Sequence, residues 1–445
     1  MKKFSLLISG FWLMALLVSC EDGWSLKPEN DNQTNELYTP WLQGLRADGQ
    51  VTLKWGKPIC PYVGGRDCPS GEPRQFEIWI AEEEPSRFRL HSKENGNVFE
   101  ATLENLKNGT PYYLKVKAVK GLWQTQSSNM IMVIPEPAEN IVPLFPTLPS
   151  SNLTLADSRK AGSWSPDHSL VAYVSEYVTN NGNNGIQSVF IAPMADSEPF
   201  LVERASSLPE WSPVAPKLVY HTENLEENRS PGPPISHIAT FDYQDSTIER
   251  LTTAQAFNYM PSWSPDGRWI VYLSDAGGGT EFNLWKVPAE GGAPIQLTTD
   301  FGDLDDLALR PDRSATHPAW SRDGSKIAFA RLKKQGDRYV SDIYTVSAAG
   351  AEGEGWEDLV SSPWDDLGPT YSPDGSEIAF ISNRSGSYQI WTMDLQTQRI
   401  RQITGSQARG VYHVGGQIEW STSGDKFIFT SSVDNGRGLF TVDAR

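Results

Sequence analysis

The feature that most constrains this chain is a short phrase repeated six times: a large aromatic residue followed at once by a tight turn. It reads WSPD at Trp164, WSP at Trp211, WSPDG at Trp263, WSRDG at Trp320, YSPDG at Tyr371 and WSTSG at Trp420. Ser suits the first turn position, Pro fixes φ at the second, and Gly accepts the positive φ that closes the turn. Each phrase leads into an apolar strand: LVAYVS, KLVYHT, WIVYLS, KIAFAR, EIAFIS and KFIFTS in order. A third strand follows in every copy, as in NLWKVP and QIWTMD, and several copies close on a short fourth such as IQLT. Four short strands cannot bury both faces of their sheet alone, and units repeating at about 50 residues are built to stack on one another. A single long β-sandwich would not produce six copies in phase. The expected fold is all-β, with six four-stranded blades in a six-bladed β-propeller.

Two stretches carry a family likeness. PSWSPDGRWIVYLS, beginning at Pro261, and SYQIWTMDLQTQRIRQIT, from Ser387 to Thr404, closely resemble the repeat of TolB-like β-propeller proteins. The resemblance runs over roughly residues 150–445. It implies the fold and leaves the function open, because such propellers occur both in periplasmic scaffold proteins and as accessory domains of serine peptidases. The chain departs from the family pattern in copy two, where Val214-Ala215 replaces Asp-Gly, and in copy six, which has Thr422-Ser423-Gly424. The loops after copies one and two are also long.

The region before the repeats reads as four further parts. Residues 1–19 form a lipoprotein signal peptide: Lys2 and Lys3, an apolar run from Leu6 to Leu17, then Leu17-Val18-Ser19-Cys20. The last four residues resemble the bacterial lipobox, which implies that Cys20 is lipidated; an ordinary cleaved signal is the alternative. Residues 20–37 are a polar, aperiodic tether. Residues 38–135 hold ATLENLKNGTPYYLKVKAVK, which resembles a fibronectin type III domain through Leu103, Leu106, Gly109, Thr110 and Tyr112. The resemblance implies a sandwich in which the Tyr112 hydroxyl returns to the backbone and Trp55 sits in the core. With Cys20 lipidated, Cys60 and Cys68 remain as a pair flanking a short loop, and an exported compartment permits their disulfide. Residues 136–150 belong to a Pro-rich linker, PEPAENIVPLFPTLP from Pro135, expected to act as a semi-rigid spacer. Residues 151–445 are the propeller. The last blade ends on its third strand, so the segment around Leu153 is expected to pair beside Gly438 to Val442 and close the ring.

The formal net charge is −17, which argues against nucleic acid or an anionic membrane surface as partner. No GxSxG elbow, P-loop or HExxH occurs. Chemistry is instead expected where the chain crosses from one blade to the next, around one mouth of the central channel. Arg159, Lys160, Tyr259, His317, Asp365, Asp366, Tyr412 and His413 fall at these crossings. Mixed charge and aromatics on loops of a rigid scaffold suit recognition. Two His with two Asp could alternatively hold a metal, as in the metal-dependent pectin-fragment lyases built on propellers. The acidic stretch Asp300 to Asp312 lacks the Gly and Glu of a calcium loop and reads as a solvated face. The expected protein is a non-enzymatic lipoprotein of the bacterial cell envelope, without cofactor or metal. It would bind an envelope protein or a glycan at the channel mouth and touch the membrane only through its lipid anchor.

Overall fold

The computed structural model describes residues 42–56, 73–120, 123–124, 127–136, 141–144, 160–177, 186–194, 199–223, 235–253, 255–276, 282–299, 317–335, 338–350, 355–405, 417–433 and 436–444. Among them there is no helix, and every regular element is a strand. Cys20, Cys60, Cys68 and the stretch Asp300–Asp312 lie outside the described residues. Two compact units are present: one runs through Ala138 and takes in Arg384–Ser387, and the other holds Glu139 to Asn383 and Tyr388 onward.

The first unit is a two-sheet sandwich. One sheet pairs Leu42–Ala47, Gln50–Trp55 and Glu100–Leu103. The other is ordered Arg89–Asn95, Gln75–Glu82, Tyr112–Lys120, Trp123–Gln124, with Ile131–Val133 also on Tyr112–Leu114. Alternation along the strands turns Val51, Leu53, Phe76, Ile78, Leu114 and Val116 into one buried core. Trp55 meets Phe76 edge-on, ring centroids 5.5 Å apart. The Tyr112 hydroxyl accepts a hydrogen bond from the Lys107 amide at 3.1 Å, five residues upstream.

The second unit consists of six four-stranded antiparallel sheets. Blade one is Lys160–Trp164, Leu170–Tyr177, Ile186–Pro193 and Phe200–Arg204; blade two is Ser206–Trp211, Lys217–Glu223, Ser236–Asp242 and Thr247–Arg250. Blade three is Asn258–Trp263, Trp269–Ser274, Asn283–Pro288 and Ile295–Gln296; blade four is Ala319–Trp320, Lys326–Gln335, Arg338–Ser347 and Glu357–Val360. Blade five is Asp366–Tyr371, Glu377–Ser382, Gln389–Asp394 and Ile400–Gln402. Blade six takes Glu419–Trp420, Lys426–Val433 and Gly436–Asp443 from the end of the chain.

The fourth strand of blade six corrects one expectation. It is Ile141–Pro143, paired as Ile141 with Val442, Val142 with Thr441 and Pro143 with Phe440. The ring is closed from upstream on the expected edge, but by residues read as spacer. Residues 150–156, which were expected to pair there, lie outside the described residues. Closure shows on the inner side as well, where the Trp164 amide of blade one donates to Glu419 Oε1 of blade six at 3.3 Å.

The repeated turn works as its residues require. In blade three Ser264 Oγ donates to Asp266 Oδ1 at 2.6 Å and accepts from the Trp269 amide at 2.9 Å, while Gly267 takes φ 70°. The Ser264 hydroxyl, with the Arg268 amide at 3.0 Å, holds the Asp266 carboxyl below the usual carboxylate range. Ser321 with Asp323 and Ser372 with Asp374 repeat the arrangement. The aromatic anchors wedge between blades. Trp263 Nε1 donates to the Glu210 carbonyl at 3.1 Å, Trp320 Nε1 to the Ser262 carbonyl at 3.3 Å, and Trp420 Nε1 to the Thr370 carbonyl at 3.3 Å. Behind them Phe329, Phe380 and Phe427 are fully buried, each removal from water contributing about 1.5–3 kcal/mol.

Candidate functional site

The inner strands of the six blades surround a central cavity of about 320 Å³ within the second unit. That volume is at the lower end of the range for small-molecule pockets. Its wall carries all six anchors, Trp164, Trp211, Trp263, Trp320, Tyr371 and Trp420. Inner strands are not plain ladders. The pairing register breaks between Lys160 and Ser163, Ser207 and Glu210, Tyr259 and Ser262, and Leu367 and Thr370. At these bulges Leu208, Met260 and Gly368 each take φ 55°. A bulge re-aims the side chains that follow it, and in these four blades those are the residues just before the anchor.

The positions before the anchors are Ser163, Glu210, Ser262, Ala319, Thr370 and Glu419. Two are carboxylates, set in the same phase of blades two and six. Glu210 Oε1 accepts from the Trp263 amide at 2.8 Å and from Ser262 Oγ at 3.2 Å. Glu419 reaches across in the same way to the Trp164 amide and to the Ser163 hydroxyl. Ser163 Oγ also accepts from the Trp211 amide at 2.9 Å. Each carboxylate therefore ties its blade to the next one, and each is still partly exposed where it lines the cavity. Burial pushes the Glu210 carboxyl up to about 8, against the opposing effect of its two donors. Burial, then the neighbouring Glu210, pushes Glu419 well above the usual carboxylate range. A charge withdrawn from water without a cation beside it favours its neutral form.

Two further polar groups line the same cavity three residues before an anchor. His317 is 6% exposed and its Nε2 has no hydrogen-bond partner. Burial, with a smaller contribution from His221, lowers its pKa to about 4, so the ring is neutral. Gln417 is 8% exposed and its Oε1 likewise receives no donor.

Of the described residues expected at the mouth, His317 is the one found on this wall. Tyr259 lies within the inner strand of blade three, 9% exposed, its ring 5.2 Å from Phe257 and 5.1 Å from Phe282. Asp365 is buried and accepts from Tyr388 Oη at 2.8 Å, Asn383 Nδ2 at 3.1 Å and the Ser341 amide at 3.2 Å. Asp366 is buried and accepts from Ser362 Oγ at 2.6 Å. These three are buried within blades three to five, and none lines the central cavity. Lys160 opens the inner strand of blade one, while Arg159, Tyr412 and His413 lie outside the described residues. Among the described residues, no group of three or more His, Cys, Asp or Glu side chains is placed to hold a metal ion. Glu210, Glu419 and Gln417 were not singled out from the sequence. Their signal was available: each occupies a fixed offset before an anchor, where four of the six copies carry small or apolar residues.

Comparison with known proteins bears on the propeller. Residues 310–444 match the family described as the TolB beta propeller domain. An uncharacterised protein of Agrobacterium fabrum is 29% identical over 235 residues, 50% of this chain and 64% of that protein. A protein TolB homolog of Chlorobium luteolum is 28% identical over 159 residues, 36% of this chain and 31% of that one. The matched stretch thus spans less than two thirds of either relative. Among solved structures, a putative TolB from Agrobacterium tumefaciens superposes with TM-score 0.44 and 17% identity, over 84% of this chain and 99% of that one.

Proposed function

We propose that this TolB-like β-propeller chain is a non-enzymatic binding protein of the bacterial cell envelope, and that its central cavity receives a segment of a partner protein. The observation that carries this reading is the cavity wall: rigid, aromatic, and holding acceptors that the chain leaves unsatisfied. A pocket preformed on a closed ring loses little entropy when it is filled, which favours recognition of an extended segment. Arg159, Lys160, Tyr412 and His413 would form the outer rim in this reading. We assign residues 38–135 to a fibronectin type III module on the strength of the Tyr112 hydroxyl bond and the Trp55 core. Residues 1–19 are proposed as a lipoprotein signal, with Cys20 as the lipidated anchor and Cys60–Cys68 as a disulfide.

The test is capture of partners from an envelope extract by the full chain and by an Ala319→Phe variant. Ala319 sits on the cavity wall, so the larger ring fills the space a partner would enter. A partner retained by the native chain and lost by the variant, with unchanged thermal unfolding, is the expected outcome. Equal capture by both would overturn the cavity as the binding site.

A further inference from the structure

Resting on the reading of the cavity as a binding site, we propose that its occupant presents an organic cation, a guanidinium or ammonium group, to Glu210 and Glu419. Three described groups on the wall have no hydrogen-bond partner: Gln417 Oε1, which accepts, His317 Nε2, whose role follows the ring tautomer, and Trp211 Nε1, which donates. The bonds that reach the two carboxylates come from one amide and one hydroxyl each, leaving the cavity side of both without a donor. Neither carboxylate has an ion-pair partner among the described residues. Gln417 Oε1 adds a buried acceptor and His317 Nε2 an unpartnered ring nitrogen, each on a side chain more than nine-tenths buried. Such a set leaves an apolar occupant facing unpaired oxygens.

A donor-rich cation answers both needs. A guanidinium carries five N–H groups and no acceptor, and an ammonium carries three donors. Either is also drawn to indole faces, and five of the six anchors on the wall are Trp. A divalent metal is the other cation to weigh. Among the described residues, however, no three ligating side chains converge to hold one. Burial raises the pKa of both carboxyls, and Glu210 adds to the rise at Glu419. A cation bound beside them favours the ionised form of both.

The experiment is calorimetric titration of the full chain with butylguanidinium and with butylurea, a neutral compound of similar shape. The expected result is one site for butylguanidinium and about tenfold weaker binding of butylurea, because charge-assisted bonds are lost. Glu210→Gln combined with Glu419→Gln keeps one acceptor oxygen at each position, removes the charge, and should weaken butylguanidinium by about tenfold or more. Equal binding of the two compounds, no binding of butylguanidinium, or an unaffected double variant would each overturn the proposal. So would displacement of butylguanidinium by calcium or manganese at one ion per chain. Should the double variant unfold early, the comparison of the two compounds on the native chain decides alone. Free arginine against an arginine-containing hexapeptide then separates the sources: tighter binding of the peptide points to a partner's side chain, equal binding to a small molecule, and both support the cation. If Ala319→Phe blocks partner capture while the glutamine variants do not, the cavity stands and its cationic occupant falls.

Discussion

Two rows of residues run side by side around the inner ring, and they differ in kind. One row holds the anchors with their turns, and it is nearly the same in every blade: Trp263 with Ser264 and Asp266, Trp320 with Ser321 and Asp323, Tyr371 with Ser372 and Asp374. Its turn hydroxyls and carboxylates are mostly satisfied within the repeat, and the indoles of Trp263, Trp320 and Trp420 bond to the neighbouring blade, while Trp211 Nε1 has no partner. The other row, one residue earlier, is Ser, Glu, Ser, Ala, Thr and Glu, and its carboxylates face the cavity. Repetition marks what the scaffold needs from every blade. Departure from repetition, joined to unsatisfied acceptors, marks where the ring is suited to something other than itself.

The largest expected effect comes from breaking the first row. Trp263 is 5% exposed and fills the seam between blades two and three. Trp263→Ala should destabilise the propeller by about 3–5 kcal/mol, from lost burial plus the cavity left behind. Ser262→Ala, one residue away in the second row, removes one hydroxyl donor and should cost about 1 kcal/mol. Urea unfolding of both variants checks the contrast, and a cost below about 1 kcal/mol for Trp263→Ala would mean the anchors do not hold the seam.

Next comes the pH dependence of the second row. The folded Glu210 pKa of about 8 lies above the ordinary 4.5. The folded state therefore keeps a proton that the unfolded chain releases. Stability from this group is fully present below about 4.5, falls as pH rises, and is lost by about 8. Glu419 acts in the same direction. His317, lowered to about 4, has the opposite slope and removes stability as pH falls from 6.5 toward 4. Because water in the cavity reaches Glu210, its share is about 1–2 kcal/mol and not the full value of the shift. Glu210→Gln should gain that amount at pH 9 and almost nothing at pH 5, by thermal or urea unfolding. An identical gain at both pH values would show that ionisation of Glu210 is not the cause.

The first row was legible in the sequence and the second was not, for a physical reason. Turns and alternating strands are local chemistry, so Ser264-Pro265-Asp266-Gly267 and the strand after it can be read without knowing the neighbours. The closing strand cannot. Ile141–Pro143 sits among prolines and looks like spacer; it becomes a strand because the edge of Gly436–Asp443 needs a partner. Side-chain direction was equally hidden. Asp365, Asp366 and Tyr259 are varied in type and lie near crossings, which suggested a surface. The inner strands of blades three and five begin by Asn258 and Asp366, and this draws those residues into the protein. Glu210 and Glu419 are visible as sites only once the copies are aligned on their anchors.

The smallest expected effect lies inside the first row, where copy two departs from the others. In blade three the Ser264 hydroxyl both donates to Asp266 and receives the Trp269 amide. In blade two Val214 stands where the Asp would be, and Ser212 Oγ receives only the Val214 amide at a long 3.4 Å. Val214 is 62% exposed, and a Cβ on Gly267 would collide with it, so the apolar side chain packs on the next turn where an Asp would have bonded within its own. Ser264→Ala removes two good bonds, one to a carboxylate, and should cost about 1–2 kcal/mol. Ser212→Ala removes one marginal bond and should cost no more than a few tenths, about 0.3 kcal/mol. Parallel urea melts of the two alanine variants measure the difference. If Ser212→Ala cost as much as Ser264→Ala, the hydroxyl would matter through something other than the Asp-bonded turn, and the division between a repeated, self-satisfied row and a variable one would lose its cleanest internal control.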